Sequence, residues 1–312
     1  MASSDEGGSA ANPQATSTHG RTWIPTVALV AVTAIWGTTF VVVAFTIEQL
    51  PVYTFLAWRF GIAALLLFAV RPHSVRSLSR VEVRRGLAIG VTLGIGYVLQ
   101  TLGLQYTSAT VSGFITGMFL VFTPLVAWLT TRERIAPAAW IAVLVATIGL
   151  ALISLQGAAN NTLGVLLTLG GALAFAFQIV GLSQWSTTAN AYGLAVLQLG
   201  MVAVMCAVIA PFEEGPKVPP NLQVWAAVLF LALAATALAF VVQSWAQAQI
   251  SPTKAAVVLT MEPVFAGVTG FLAGDDLTWR LVLGGMMVVS SMYLVEVGTR
   301  RGRDAEVAHL EP

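Results

Sequence analysis

Ten long apolar stretches are the feature of this 312-residue sequence that most restricts its fold. A helix rises about 1.5 Å per residue, so about 20 residues cross a hydrocarbon layer roughly 30 Å thick. The sequence is 57% hydrophobic and only 9% charged, whereas soluble domains have about 25% charged residues. We therefore predict an all-α integral membrane protein with ten transmembrane helices. These spans lie at about 26–45, 53–70, 86–104, 110–130, 138–155, 163–182, 192–210, 224–248, 255–273 and 277–295.

Basic residues predict how these helices are oriented. With the N-terminus in the cytoplasm, twelve of the fifteen Lys and Arg residues fall in cytoplasmic segments and two in outer loops, and Arg59 lies inside span two. Cytoplasmic loops of membrane proteins are enriched in Lys and Arg. The bias predicts a multi-pass protein of the cytoplasmic (inner) membrane with both termini inside. Residues 1–22 are predicted to be a disordered cytoplasmic tail, and residues 298–312 a cytoplasmic C-terminal tail.

The two halves of the sequence resemble each other. LAWRFGIAAL (56–65) is similar to VLQLGMVAVM (196–205), with Gly61 aligned on Gly200. YTSAT (106–110) is similar to ISPTK (250–254), and the two matches are separated by nearly the same distance along the chain. A duplicated unit of somewhat less than half the chain explains both matches.

Each half contains five predicted spans, so the second half must be inverted in the membrane relative to the first. The loops agree, because RER (132–134) would be cytoplasmic and its counterpart GDD (274–276) would be external. We predict a first five-helix repeat at 23–157 and a second at 158–297. Inverted repeats with a site between them are typical of secondary transporters.

One carboxylate lies deep within an apolar span. Glu262, followed by Pro263, stands in the middle of span nine, and the other thirteen acidic residues lie in tails, loops or span ends. A carboxylate at this depth faces a cavity or a partner, or it is protonated. Pro263 removes a helical hydrogen bond and frees a carbonyl nearby. Two interpretations are open: Glu262 contacts substrate or exchanges a proton, or it is a fixed hydrogen-bond anchor at the Pro263 break.

Arg59 is the only basic residue deep in a span. It either binds an anionic group of a substrate or pairs with carbonyls at a helix end. The backbones of Arg59 and Glu262 are predicted to differ in depth by about 10 Å, so both side chains could face one cavity. A zwitterionic solute would then place its carboxylate on the guanidinium and its ammonium near Glu262. This arrangement favours amino acids over purely cationic drugs.

Uncharged side chains complete the set of candidate substrate contacts. Trp36 would form a wall of the cavity by stacking, or it is ordinary packing. For the others, hydrogen bonding between helices explains their presence as well as substrate contact does. Gln243 and Gln247 are four residues apart and so share one helix face. The candidates are Trp36, Tyr97, Gln100, Gln178, Gln198, Gln243 and Gln247.

Several classes of function are disfavoured by what the sequence contains. All three histidines, His19, His73 and His309, lie in tails or a loop, which excludes His-ligated metal sites within the spans. The single cysteine, Cys206, cannot form an internal disulfide. A net charge of +1 argues against nucleic acid as a partner. HExxH, GxSxG and a phosphate loop are absent, so we predict neither an enzyme nor a bound cofactor.

Short motifs, in order along the chain, resemble one transporter family. They are IWGTTF (35–40), WRF (58–60), YTSA (106–109), RER (132–134), MEP (261–263) and GDDLTW (274–279). Over nearly all of residues 23–297, the chain is similar to EamA-type members of the drug/metabolite transporter superfamily. The family's frequent Lys late in span one is replaced by Ala44, so no role of that lysine is carried over. The resemblance implies a ten-helix bundle with a central cavity that exports or exchanges small metabolites such as amino acids.

We predict a secondary active transporter that exports or exchanges a small organic metabolite, an amino acid or a derivative, by alternating access in the lipid bilayer. Protons are a candidate coupling ion through Glu262. A multidrug or cation exporter of the same superfamily is one alternative. A passive channel is another, although the sequence contains no carbonyl-lined filter loop and no ring of like charge.

Overall fold

The computed structural model of the protein is helical in the part of the chain that it describes, with no β-strand there. The predicted tails and most of the RER and GDDLTW motifs lie outside the described residues. Those residues are 23–107, 109–132, 137–154, 162–215, 217–272, 278–280, 282–287, 290–291 and 294.

Thirteen α-helices occur among the described residues, and a π-helical segment joins two of them. In chain order they are α1 (Trp23–Ile47), α2 (Val52–Val70), α3 (His73–Arg76), α4 (Arg80–Leu104), α5 (Ala109–Thr116), α6 (Phe119–Thr131), α7 (Pro137–Ser154), α8 (Thr162–Trp185), α9 (Ala191–Ile209), α10 (Leu222–Ala232), α11 (Ala239–Gln247), α12 (Pro252–Leu259) and α13 (Met261–Leu272).

Among the described residues, six helical segments are long and apolar enough to cross a membrane, which makes this a multi-pass membrane protein. They correspond to predicted spans one, two, three, six, seven and eight. The outer surface is apolar too, with Leu65, Val70 and Leu166 among the many exposed side chains. The segments are Trp23–Ile47, Val52–Val70, Arg80–Leu104, Thr162–Trp185, Ala191–Phe212 and Leu222–Gln247.

Two predicted spans are each divided into two shorter helices. In span four, α5 ends before Gly117 and α6 begins after Met118. In span nine, α12 and α13 are separated by Thr260 alone. The separation of Gly117 from Thr260 along the chain falls within the offset between the two halves of the sequence. Each break therefore lies at a corresponding position of its half.

Predicted spans five and ten are the two that remain. Span five corresponds to α7, which has 18 residues. For span ten, the described residues are helical at 279–280, 282–287, 290–291 and 294. Span eight contains a π-helical segment, Leu233–Leu238, between α10 and α11. A π turn has one residue more than an α turn, so it shifts the backbone carbonyl groups away from their usual partners.

Two glycines allow helices of the bundle to approach closely. A Cβ at Gly37 of α1 would lie 2.6 Å from the Cβ of Phe265 and 2.8 Å from the carbonyl oxygen of Glu262. A Cβ at Gly90 of α4 would lie 2.5 Å from the Cβ of Met201 in α9. Real Cβ atoms do not come so close, so these crossings require glycine. Inside a membrane such close packing is a main source of helix association, and at Gly37 it sets the position of Glu262.

Candidate functional site

A small cavity lies between the helices, and seven of the nine predicted contact residues line it. Its volume is about 60 Å³, room for a few water molecules and far below the roughly 300 Å³ of the smaller ligand pockets. Residues from α1, α2, α4, α5, α6, α8, α11, α12 and α13 form its wall. The seven predicted residues are Trp36, Arg59, Tyr97, Gln100, Gln178, Gln243 and Glu262.

Gln198 and Gln247 are fully buried but are not among the residues that line the cavity. Gln198 accepts a hydrogen bond from Nε2 of Gln178 (3.0 Å) and donates one to Oγ of Ser244 (3.2 Å). Oε1 of Gln247 accepts a hydrogen bond from Oγ of Ser183 at 3.5 Å. Gln198 therefore stands behind the cavity wall and positions Gln178. Gln243 alone of the pair on α11 reaches the cavity.

Arg59 lies in the wall of the cavity and is only 2% exposed. Its Nε donates a hydrogen bond to Oγ1 of Thr236 at 2.8 Å. Its Cζ lies 5.0 Å from the ring centroid of Tyr97 and 5.3 Å from that of Phe60, within the range of cation–π attraction. The helix-end carbonyls expected from the sequence are thus replaced by a hydroxyl of the π-helical segment and by two aromatic rings.

Glu262 stands in the first turn of α13, directly after the break at Thr260, and is 9% exposed. Within the described part of the chain, its carboxylate has neither a hydrogen-bond partner nor a salt bridge at a 4.0 Å limit. Arg59, the other deep charge, therefore forms no direct salt bridge with Glu262 in the described structure. The anchor interpretation has no hydrogen bond to support it. A buried carboxylate without a partner is costly, so a ligand that supplies one would bind favourably.

The π-helical segment Leu233–Leu238 holds two of the predicted residues in place. Nε1 of Trp36 donates a hydrogen bond to the carbonyl oxygen of Ala235 at 2.7 Å. The next residue, Thr236, accepts the bond from Arg59. Both bonds join the first half of the chain to the second. Sequence reasoning missed this segment, and its only visible signal was a hydroxyl within the apolar run LALAATALAF (231–240).

Aromatic rings form one side of the site. The Tyr97 ring packs against Phe60 (4.7 Å between centroids), Phe175 (5.3 Å) and Phe240 (6.2 Å). Phe240 also packs against Trp36 at 5.4 Å. Three of these rings, all phenylalanines, were not predicted, because an apolar ring within an apolar span gives no signal in the sequence. Together they surround the charged groups with apolar surface, which strengthens electrostatic attraction in the cavity.

The amide side chains differ in how much of their hydrogen-bonding capacity is used. Nε2 of Gln100 donates to Oγ1 of Thr116 at 2.9 Å, so this side chain joins α4 to α5. Oε1 of Gln243 is buried and has no partner among the described residues. The cavity wall thus contains one guanidinium, one carboxylate and the buried, unpaired amide oxygen of Gln243. No group of His, Cys, Asp and Glu residues suited to a metal ion occurs in the part of the chain that was searched.

Comparison with known proteins gives a consistent result. A model of the EamA-like transporter family matches the chain twice, at residues 23–155 and 162–297. An "uncharacterized transporter" of Archaeoglobus fulgidus is 33% identical over 238 residues, which are 76% of this chain and 74% of that protein. The "uncharacterized transporter YoaV" of Bacillus subtilis (strain 168) is 24% identical over 275 residues, 85% of this chain and 94% of YoaV.

The fold also matches a solved structure. A crystal structure of a protein with 16% sequence identity superposes with a TM-score of 0.72, over 90% of this chain and 98% of the other. At this level of identity the likeness concerns the fold alone.

Proposed function

Because the chain belongs to the EamA-like transporter family, within the drug/metabolite transporter superfamily, we propose that it is a secondary active transporter of a zwitterionic metabolite. We infer an amino acid or a close derivative, exported or exchanged by alternating access. The superfamily identified from the sequence is confirmed by these matches. The family is one of transporters, which agrees with the absence of enzyme motifs from the sequence.

The observation that supports this substrate class is one cavity lined by two buried, opposite charges that do not pair with each other. Arg59 has a guanidinium fork suited to a carboxylate. Glu262 has no hydrogen-bond partner in the described structure and attracts an ammonium group. An α-amino acid presents both groups a few ångströms apart, so it would satisfy both charges in one step. Gln243, with its unpaired oxygen, would accept a further hydrogen bond from the ammonium group.

We further propose ten spans arranged as two inverted five-helix repeats, with both termini in the cytoplasm of a cell whose inner membrane holds the protein. The breaks in spans four and nine, which lie at corresponding positions of the two halves, support this arrangement. Discontinuous helices at corresponding positions of two repeats are a feature of transporter sites near the membrane centre. The cavity of about 60 Å³ must widen to accept a solute, and rocking of one repeat against the other would widen it.

Proton exchange through Glu262 is the coupling mode that we propose. A carboxyl group without a hydrogen-bond partner is free to take up a proton when the substrate leaves. Glu262→Gln imitates the protonated form. It should remove the pH dependence of transport and leave solute exchange in place.

A cation exporter is the second candidate, because the unpaired Glu262 carboxylate would also attract a cationic drug. Arg59 in the same cavity opposes it, since a cation would meet a buried positive charge. A passive channel is a third possibility of a different class. Exchange measurements separate these candidates.

Counterflow in proteoliposomes tests the proposed function. Purified protein is reconstituted in vesicles preloaded with one unlabelled amino acid at a time, and labelled amino acid is added outside. A carrier accumulates label transiently above its equilibrium level, whereas a channel only lets it equilibrate. We expect transient accumulation with at least one amino acid and none with Arg59→Ala. Accumulation of quaternary amines but of no amino acid would favour the cation exporter.

A further inference from the structure

The turn between α2 and α4, with the start of α4, contains an unusual concentration of arginine. Five arginines lie between residues 71 and 85, and all five side chains are exposed. The same stretch contains one acidic residue, Glu82. The enrichment of Lys and Arg in cytoplasmic loops explains why this stretch is positively charged. It does not explain where the individual side chains lie or what they contact. The five are Arg71, Arg76, Arg80, Arg84 and Arg85.

Glu82 is occupied by other partners. It forms a capping box with Ser79, accepting hydrogen bonds from the Ser79 nitrogen (2.8 Å) and Oγ (2.7 Å). Its other oxygen accepts a bond from Nδ2 of Asn190 at 2.8 Å. Across the described residues, none of the five arginines forms a salt bridge at a 4.0 Å limit. Arg80 and Arg84 also have no cation–π contact in the described structure, so their guanidinium groups are available to an external anion.

On α4, exposed arginines are followed along the same helix face by exposed apolar side chains. Arg80, Arg84, Leu87 and Ile95 lie at spacings of three, four or eight residues, which places them along one face of the helix. Both arginines are exposed, and Leu87 is 38% and Ile95 42% exposed. From Arg84 to Ile95 the helix rises about 16 Å. This face thus has a cationic end, followed by an apolar strip that extends through much of the thickness of one membrane leaflet.

Aromatic side chains place the cationic end at the level of the lipid headgroups. Cζ of Arg85 lies 5.7 Å from the ring centroid of Trp185 at the end of α8. Cζ of Arg71 lies 5.8 Å from that of Tyr192 near the start of α9. Trp and Tyr concentrate at membrane–water interfaces. Two helices, α8 and α9, therefore place an aromatic residue typical of the interface at the same end of the bundle as the arginines.

We propose that this face of α4 is a binding site for an anionic phospholipid. Arg80 and Arg84 bind the headgroup phosphate, because the guanidinium fork matches phosphate oxygens in two parallel hydrogen bonds. One acyl chain lies along Leu87 and Ile95. The bound lipid neutralises the uncompensated charge next to the turn that packs on α9.

Native mass spectrometry of the purified full-length protein tests the site, with phosphatidylglycerol and phosphatidylcholine of equal chain length as probes. A juxtamembrane arginine contributes about 1 kcal/mol to binding of an anionic surface, which is about fivefold in affinity. We expect Arg80→Gln and Arg84→Gln each to weaken phosphatidylglycerol binding about fivefold, and the double variant about twentyfold. Phosphatidylcholine binding should not change.

Arg132→Gln is the matched control, because it removes one exposed arginine distant in sequence from this face. Its phosphatidylglycerol binding should stay within about twofold of the wild type. Arg84→Lys keeps the charge without the fork and should lose part of the affinity. An unchanged thermal melting temperature shows that each variant is folded.

Three outcomes would overturn the proposal. The first is unchanged phosphatidylglycerol binding by the double variant. The second is an equal loss in Arg132→Gln, which would indicate general attraction to a positive surface. The third concerns the ligand: if inorganic phosphate competes as well as the lipid does, and Leu87→Gln leaves phosphatidylglycerol binding unchanged, the site binds free phosphate.

Discussion

The turn between α2 and α4 and the segment between α9 and α10 hold corresponding positions in the two halves, yet their charges differ. The first contains five arginines and one glutamate by residue 85, whereas residues 210–221 contain Glu213, Glu214 and Lys217. Their helix caps correspond, since Ser79 caps α4 and Asn221 caps α10 at the equivalent position of the second half. The two halves thus share the position of the helix cap but differ in the charge of the preceding segment. In the proposed orientation the charge therefore distinguishes the two membrane sides, while the caps preserve the packing.

Both segments also bind the opposite half of the chain. On the arginine-rich side, Asn190 donates to Glu82 at 2.8 Å. On the other side, Asn221 donates to Oε1 of Gln49 at 3.2 Å. Each contact joins the start of a helix in one half to a residue of the other half. Each end of the bundle therefore has its own hydrogen bond between the two halves, and the rocking motion proposed above would strain these bonds.

The largest expected effect concerns the side of the membrane on which each segment lies. Alkaline phosphatase is active only outside the cytoplasm, so a fusion within residues 213–217 should be active. A fusion after Pro312, or one after Arg76, should be inactive. Activity measured in whole cells checks this prediction. The reverse pattern would contradict the orientation and the comparison that rests on it.

Glu213 should contribute more to the stability of the protein than the adjacent Glu214 does. Its carboxylate accepts bonds from the backbone nitrogens of Tyr53 (2.9 Å) and Thr54 (2.8 Å) and from Oγ1 of Thr54 (3.1 Å). These nitrogens have no partner within the first turn of α2. Glu213→Ala should destabilise the protein by about 1–2 kcal/mol, as loss of a helix cap does.

Thermal melting in detergent measures this difference. Glu214→Ala is the control, because Glu214 has the same charge and forms no hydrogen bond in the described structure. It should leave the melting temperature unchanged. Equal melting temperatures of the two variants would show that the Glu213 contact contributes nothing.

The two asparagines at the cross-connections should differ by a smaller amount. Asn190 donates to a carboxylate, whereas Asn221 donates to a neutral amide, and a charge-assisted hydrogen bond is about twice as strong. Asn221 also caps α10 by accepting a bond from the Val224 nitrogen (2.9 Å), whereas Asn190 accepts one from the Thr187 nitrogen (2.7 Å) in the turn before α9. We expect about 1 kcal/mol for Asn221→Ala and somewhat more for Asn190→Ala. The reverse order in chemical denaturation would contradict the electrostatic reason.

The smallest expected effects come from two side chains that reach carbonyl groups of the opposite half. Tyr192 donates its hydroxyl to the Leu67 carbonyl at 2.9 Å, and Trp58 donates Nε1 to the Lys217 carbonyl at 3.0 Å. Tyr192→Phe and Trp58→Phe should each cost about 0.5–1 kcal/mol or less at these partly exposed positions. Tyr192→Phe removes only the hydroxyl, so its melting temperature gives the cleaner value. A loss of several degrees would mean that this bond is central to the packing.

The sequence predicted the parts of the fold that depend on apolar length. Six predicted spans are helices of sufficient length, because nothing except a helix satisfies the backbone of a single segment inside a bilayer. It did not predict the π-helical segment Leu233–Leu238, since the single hydroxyl in that apolar run, that of Thr236, does not indicate an extra residue in a turn. The break at Thr260 was predicted in part, because Pro263 indicated a disturbed helix within span nine but not the position of the break.

The site was predictable where a charged or amide group stands in an apolar span. Arg59 and Glu262 stand out for that reason, and both line the cavity. Gln198 and Gln247 stand out equally but are turned towards Gln178, Ser244 and Ser183. The rotation of each helix about its axis decides whether such a side chain faces the cavity or a neighbouring helix. A helix that is apolar on all sides has no amphipathic pattern from which this rotation could be inferred.

The central claim is that Arg59 and Glu262 bind the two ends of a zwitterion, and one binding experiment tests it most directly. Tryptophan fluorescence of the purified protein can be titrated with an amino acid found active in counterflow, with its decarboxylated amine and with its deaminated acid. If the claim holds, only the zwitterion binds the wild type strongly. The Arg59→Gln variant should then bind the amine at least as well as the amino acid. Equal binding of the amine and the amino acid by the wild type would contradict the claim.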